Sequence, residues 1–274
     1  MKTLYVSDLD NTLLRSDGTV SEYTARVLEY LCGKGLIFTY ATARSHSTAA
    51  KAVGDLGSLY AVVYNGAFTV ENDTGRRVFQ STFPPEESKA VLDALERLGT
   101  HPRVFALIDG KERFTYTEKH LESLGAQEYF RTRAGDPRAR LGTWDDLYEG
   151  DIFTISCTDK REALLPCYER LREDHRCLFY KDSYSPDWYL EILPRKATKA
   201  CALLRLKEIL GCERVVAFGD GVNDFSMFEV ADECYAVSNA DPRLKEMATG
   251  IIGSNDEDGV ARYLLGAYEK GELV

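Results

Sequence analysis

Two short acidic strings stand far apart in the chain, and each follows a run of apolar residues. One is Ser7-Asp8-Leu9-Asp10-Asn11-Thr12, after Leu4-Tyr5-Val6; the other is Gly219-Asp220-Gly221-Val222-Asn223-Asp224, after Val215-Val216-Ala217-Phe218. Asp8 and Asp10 stand two residues apart at the end of the first apolar run, where the buried strand gives way to a polar loop. In open α/β sheets that is where ligands bind. Crowded acids are costly unless a cation sits among them. Alone, D-x-D also suits a solvated turn, and Asn-Asp after Gly-Asp-Gly also suits a capped helix start. Two such strings at two strand ends supply hard oxygen ligands of the kind Mg2+ takes.

Two further groups suit an anion. Tyr40-Ala41-Thr42-Ala43-Arg44-Ser45 ends an apolar run and opens a helix, so the Thr42 hydroxyl and the free N–H groups of a helix start would cradle an anion. Lys199, in Ala197-Thr198-Lys199-Ala200, stands in the first turn of a helix, at the positive end of its dipole. Surface placement accounts for most lysines; one that holds phosphate would tolerate that cost.

The elements that must position these residues alternate. Apolar runs at 4–6, 36–40, 60–64 and 214–218 read as buried strands, with a further strand at 234–237. Between and after them come helices from about Ser21, with Tyr23, Val27, Tyr30 and Leu31 on one face, and near 197–210, 224–230 and 257–268. The rhythm argues a parallel sheet covered on both faces. The middle differs. Asn72-Asp73-Thr74-Gly75 is a hairpin signal between Phe68-Thr69-Val70 and Arg77-Val78-Phe79. Pro84-Pro85 opens a helix with Val91, Ala94, Leu95 and Leu98 facing inward, and from there to about 190 the pattern reads β-β-α-β-α-β-β. An α+β insert is expected, with breaks near Phe83-Pro84 and Leu193-Pro194, giving a core of residues 1–82 and 191–274 and an insert of 83–190.

Composition sets the outer bounds. The 274 residues carry 34 Lys and Arg against 44 Asp and Glu, a net charge of −10. With no basic block, nothing favours nucleic acid or an anionic membrane face, so any bound anion needs a local site. No apolar stretch approaches the ~18–20 residues of a membrane span. Met1 to Val6 meets Asp8 and Asp10 too early to be a signal-peptide core. The seven cysteines form no C-x-x-C pair and read as free thiols of a reducing cytosol, so a cytoplasmic location is expected.

In order, Asp8-x-Asp10-x-Thr12, Thr42, Lys199 and Gly219-Asp220-x-x-Asn223-Asp224 resemble the four motifs of the haloacid dehalogenase superfamily. Thr42 follows Asp8 by only 34 positions and Lys199 follows Thr42 by 157, which is similar to members with a C2-type cap. Asn65-Gly66-Ala67, Leu190-Glu191-Ile192, Ser238-Asn239-Ala240 and Ser254-Asn255 resemble the Cof-type subfamily with the IIB cap. Ala43 and Ala200 stand where that family commonly has Gly, and both keep their N–H.

The resemblance implies a Rossmann-like core with an inserted C2B-type cap acting as a lid, and a cytoplasmic phosphatase of small phosphorylated metabolites. It implies Asp8 as nucleophile and Asp10 as general acid and base. Mg2+ would sit on Asp8, the Asp10 carbonyl and Asp220. Leu9, Thr42, Ala43, Lys199 and Asn223 would hold phosphate, and Thr12, Asn65 and Asp224 would support them. A phosphate-binding regulatory protein and a phosphomutase are the alternatives. In the insert, Arg131, Arg133, Arg138 and Arg140 read as a solvated loop before an anion attractor. Tyr184, Trp188 and Tyr189 read as strand aromatics before a ring-stacking surface.

Overall fold

The computed structural model describes residues 1–182 and 185–273. The chain opens with β1 (Thr3–Ser7), α1 (Glu22–Gly33), β2 (Ile37–Ala41), α2 (His46–Val53) and β3 (Tyr60–Val63), followed by the hairpin β4 (Phe68–Glu71) and β5 (Arg77–Gln80). Then come α3 (Pro85–Arg97), β6 (Arg103–Ile108), β7 (Lys111–Tyr116), α4 (Leu124–Arg131), β8 (Ala139–Leu141), β9 (Asp151–Asp159), α5 (Arg161–Leu171), β10 (Arg176–Lys181) and β11 (Trp188–Leu193). The last third holds α6 (Lys199–Leu210), β12 (Arg214–Gly219), α7 (Phe225–Phe228), β13 (Glu233–Val237), α8 (Pro242–Met247), β14 (Gly250–Ile252) and α9 (Gly259–Glu269).

These elements form two compact units, one of Met1–Gln80 with Lys196–Val274, the other of Ser81–Arg195. The first is built on a sheet of order β14-β13-β12-β1-β2-β3-β4-β5. It is parallel from β14 to β3, and the hairpin adds two antiparallel strands at one edge. β1 is buried at every position, as expected of a central parallel strand covered on both faces. α1 starts where Ser21 accepts a hydrogen bond from the Thr24 N–H. Its inward face is Val27, Leu28 and Leu31; Tyr30, expected there, lies outside and meets Tyr268 edge to face.

The second unit has the sheet order β10-β11-β9-β6-β7-β8. Every neighbouring pair is antiparallel except β7 with β8. Alternation splits the faces. Val104, Ile155 and Ile192 pack with Val91 and Leu95 of α3 and Leu164 of α5, while Arg103, Ser156 and Glu191 lie at paired positions on the other face. Leu98, expected to face inward, is the exposed C-cap of α3. This is the expected α/β parallel core with an α+β insert.

Two details of the insert differ from the pattern. β8 adds a strand between α4 and β9; three residues among arginines carry no apolar period to reveal it. The break expected at 190/191 falls inside β11, whose residues 191–193 stay paired with β10 and, through Glu191 and Ile192, with β9. The strand keeps its ladder until Pro194, which has no N–H to donate.

Candidate active site

The order β12-β1-β2 decides which loops meet. Ser7 pairs with Phe218 on one side and Tyr40 on the other, so Asp220, Asp8 and Thr42 emerge side by side from the same end of the sheet. Asp8 is tied down by its own N–H, which donates to the Phe218 carbonyl at 2.9 Å. The chain then makes a wide turn over residues 9–13, closed by the Leu14 N–H on the Leu9 carbonyl at 2.8 Å. Asn11 takes φ +57° within it, a left-handed conformation that Asn tolerates.

Four carboxylates occupy this end of the first unit: Asp8 and Asp224 share Lys199, while Asp220 and Asp10 have partners of their own. Lys199 is fully buried at the first position of α6, behind the Thr198 N-cap. Its Nζ donates to Asp8 Oδ1 at 2.5 Å and to Asp224 Oδ1 at 2.7 Å. The other oxygen of Asp224 accepts the N–H groups of Asp220 and Gly221, both at 3.0 Å, and so shapes the turn. A Cβ on Gly219 would stand 2.7–2.8 Å from the Asp224 carboxyl, hence the glycine. Thr12 donates to Asp220 Oδ1 at 3.0 Å. Asp10 is held by Arg44, whose Nη2 reaches Oδ1 at 2.5 Å and whose Nε reaches Oδ2 at 3.0 Å.

Charge is unbalanced here. Asp8, Asp220 and Asp224 each offer an oxygen within 4.8 Å of the others. Burial, with Asp224 and Asp220 close by, pushes the Asp8 carboxyl well above its usual range against the pull of Lys199. Burial and then Asp224 push Asp220 up to about 6, opposed by the Thr12 hydrogen bond and Lys199. Burial alone would lower Lys199, but Asp224 and Asp8 outweigh it and hold the ammonium above the ordinary lysine value. Three acids thus share one cation, and a hard divalent ion fits the donor set.

The remaining expected residues surround this group. Thr42 is buried; its N–H bonds the Val62 carbonyl and its hydroxyl accepts the Arg44 N–H at 3.1 Å. Ala43 is exposed at the loop crest and the Leu9 side chain is buried. Asn223 donates to buried Asn65 at 3.4 Å. Tyr64 and Asn65 have φ of +51° and +54°, and Gly66 follows at +95°. Any Cβ on Gly66 would sit 2.1 Å from the Thr198 carbonyl oxygen. That turn therefore braces the start of α6 and, with it, Lys199.

Three residues without an expected role also act here. Arg44 was visible only as a basic residue two positions after Thr42. Asn239 donates to the Asn11 carbonyl at 2.8 Å, and Asn255 donates to the Leu14 carbonyl at 3.0 Å, so both brace the turn after Asp8. In the insert, Arg138 pairs with Asp136 at 2.7 Å, Arg140 with Asp146 and Glu149, and Arg131 with Glu128, while Arg133 lies over the Tyr129 ring. Trp188 packs against Phe179, Tyr189 stacks on Tyr180, and Tyr184 lies outside the described residues. Among the described residues no helix is long and apolar enough to cross a membrane.

Known proteins are similar to this chain over nearly its whole length. A 5-amino-6-(5-phospho-D-ribitylamino)uracil phosphatase of Bacillus subtilis, YitU, is 28% identical over 267 residues, covering 95% of this chain and 96% of that protein. A second of that name from the same organism, YwtE, is 29% identical over 280 residues, covering 94% and 95%. Among solved structures, TM0651 from Thermotoga maritima superposes with a TM-score of 0.77 at 24% identity, covering 97% of each chain. The subclass IIB sugar phosphatase BT4131 superposes at 0.76 with 18% identity, covering 99% of this chain and 100% of that one. The sequence profile of the haloacid dehalogenase-like hydrolases matches residues 5–264, nearly the whole length. The chain therefore belongs to the haloacid dehalogenase-like hydrolases, and within them it is a phosphatase.

Proposed function

We propose that this phosphatase hydrolyses monoesters of small metabolites, sugar or cofactor phosphates, in an Mg2+-dependent reaction through an aspartyl-phosphate. One observation carries the reading: Asp8, just past a buried strand, shares the Lys199 ammonium with Asp224 and lies with Asp220 in a group of three acids. A phosphate monoester adds further negative charge to that group, so attack by a carboxylate needs neutralisation first. Asp8, Asp220 and the main-chain carbonyl of Asp10 would hold Mg2+, which when bound would offset the charge on the transferring phosphoryl group.

The chain's own residues divide the work. An Asp8 oxygen attacks phosphorus in line, the bond from phosphorus to the leaving oxygen breaks, and Asp10 gives that oxygen its proton. Lys199, Thr42, Asn223 and the N–H groups of Leu9 and Ala43 grip the other phosphoryl oxygens. Water then attacks the aspartyl-phosphate, Asp10 takes its proton, the bond to Asp8 breaks and inorganic phosphate leaves. Positioning and charge supply nearly all of such an acceleration. The names of the two Bacillus relatives support a ribityl-type phosphate ester as the first substrate to try.

The test is a panel of phosphorylated metabolites, including that ester, hexose phosphates, pyridoxal phosphate and FMN, assayed for released phosphate. Turnover of at least one is expected, lost in EDTA and restored by Mg2+. Asp8→Asn is expected to lose more than ~10⁴-fold in kcat while melting near the wild type. Wild-type rates in that variant would remove the nucleophile, and full rates in EDTA would remove the metal.

A further inference from the structure

Arg44 contacts Asp10 in this site, and the reaction above gives that contact no purpose. Nε of Arg44 lies 3.2 and 3.0 Å from the two Asp10 oxygens, and Nη2 lies 2.5 Å from Oδ1. The guanidinium therefore spans both oxygens of the carboxylate as a fork. Both ends of the pair are anchored. The Arg44 N–H donates to the Thr42 hydroxyl at 3.1 Å, and its carbonyl accepts the Tyr64 N–H at 3.0 Å. On the other side, the left-handed Asn11 follows Asp10 directly, and Asn239 holds its carbonyl at 2.8 Å.

Stability is a poor reason for this pair. The Asp10 side chain is 49% exposed and that of Arg44 28% exposed, and ion pairs so open to water contribute about 0–1 kcal/mol. Orientation is a better one. A carboxylate at the end of a turn has several rotamers, and proton transfer requires one of them. Lys199 serves Asp8 and Asp224, and Thr12 serves Asp220, so Arg44 is the side chain that fixes Asp10.

We infer that Arg44 is a positioning residue for Asp10: its fork aims the carboxyl that passes the proton between leaving group and water, and Arg44 does not serve as a phosphate grip. This rests on the proposed role of Asp10, and the experiment separates the two. An alkyl phosphate needs a proton on its departing oxygen, whereas p-nitrophenyl phosphate releases a stable phenolate without one. Because kcat/KM covers only the steps through phosphoryl transfer to Asp8, comparing it for the two esters isolates leaving-group protonation.

The variants are Arg44→Ala, Arg44→Lys and Asp10→Asn, each measured on both esters beside the wild type. In Arg44→Ala, kcat/KM on the alkyl ester is expected to fall by about 10²-fold, within the range general acid–base catalysis supplies. On p-nitrophenyl phosphate it is expected to fall by less than ~10-fold, with kcat and KM dropping together as water attack on the phosphoenzyme slows. Arg44→Lys keeps a charge without the fork and should fall between the wild type and Arg44→Ala on the alkyl ester. It carries the same test should Arg44→Ala fold poorly. Equal losses of kcat/KM on both esters in the Arg44 variants would overturn the inference, since a phosphate grip or a purely structural role gives that result. If Asp10→Asn itself loses equally on both esters, the proton-carrier reading of Asp10 fails and the inference falls with it.

Discussion

The core unit and the inserted unit handle charge in opposite ways. In the core, Asp8, Asp220 and Asp224 stand together with Lys199 as the ammonium bonded to two of them. In the insert the arginines are satisfied close by: Arg138 by Asp136 two residues away, Arg131 by Glu128 three away, and Arg140 by Asp146 and Glu149. Buried Arg103 is the exception: it lies 3.5 Å from the centre of the Tyr129 ring and donates to Ser156 at 3.3 Å, while its Nε and Nη1 find no hydrogen-bond partner among the described residues. A charge answered by its sequence neighbours is neutral before any ligand arrives. Charges gathered from positions 8, 199, 220 and 224 and left out of balance are, under the proposed function, the ones that a metal and a phosphoryl group would complete.

Substitutions in the two units should therefore differ in kind. The largest effect is expected for Lys199→Met, which strips Asp8 and Asp224 of their counter-charge. Chemical denaturation should show a loss of about 3–5 kcal/mol, the usual result of breaking a buried pair from one side. Whatever folds should turn over at least ~10²-fold more slowly. A stable, active variant would mean that the core is as self-balanced as the insert.

Gly66→Ala comes next. Its new methyl would lie 2.1 Å from the Thr198 carbonyl oxygen at a φ of +95°, so a stability loss of about 1–3 kcal/mol is expected. A fall in kcat/KM should accompany it as Lys199 shifts; unchanged kinetics would show that the brace is not needed.

His120 sharpens the contrast from the other side, because its charge is excluded from the insert. Burial and then the nearby Arg103 lower it from 6.5 to about 3, against the hydrogen bond to the His101 carbonyl. The unfolded chain thus takes the proton first. Stability is complete above pH 6.5 and is lost as pH falls toward 3, by up to about 1.4 kcal/mol per pH unit. Denaturation curves between pH 7 and ~4.5 should be shallower in pH for His120→Gln than for the wild type, and parallel slopes would contradict this. The smallest effect belongs to Arg140→Ala, at most about 1 kcal/mol with turnover within ~2-fold of wild type. A large rise in KM there would return the insert's arginines to a role in attracting substrate.

Much of the core was legible because its signals are local. Apolar runs of three to five residues leading into Asp8, Thr42 and Asp220 mark parallel strands and their ends. Ser21, where a helix is expected to begin, caps it by accepting the Thr24 N–H three residues ahead. In the insert, β8 is three residues long and takes its register from β7, so no period betrays it. The 190/191 break failed for a related reason, since where β11 ends depends on its ladder with β10 and on Pro194. Tyr30 illustrates the tolerance of a helical stripe: it keeps the apolar period yet stays exposed beside the buried face, with its ring edge to face against Tyr268.

Residue types and their order determined that this chain carries acids, a hydroxyl and a lysine at the ends of buried elements, and that a long insert separates two of them. Tertiary structure alone decided which atoms meet. The strand order β12-β1-β2 brings position 220 beside position 8. The Gly66 turn seats Lys199 between two carboxylates, and the loop after β2 turns Arg44 onto Asp10. The physical reason is that hydrophobic periodicity reports only whether a residue faces inside, whereas the pairing of charges depends on strand registers and turn angles set by distant parts of the chain.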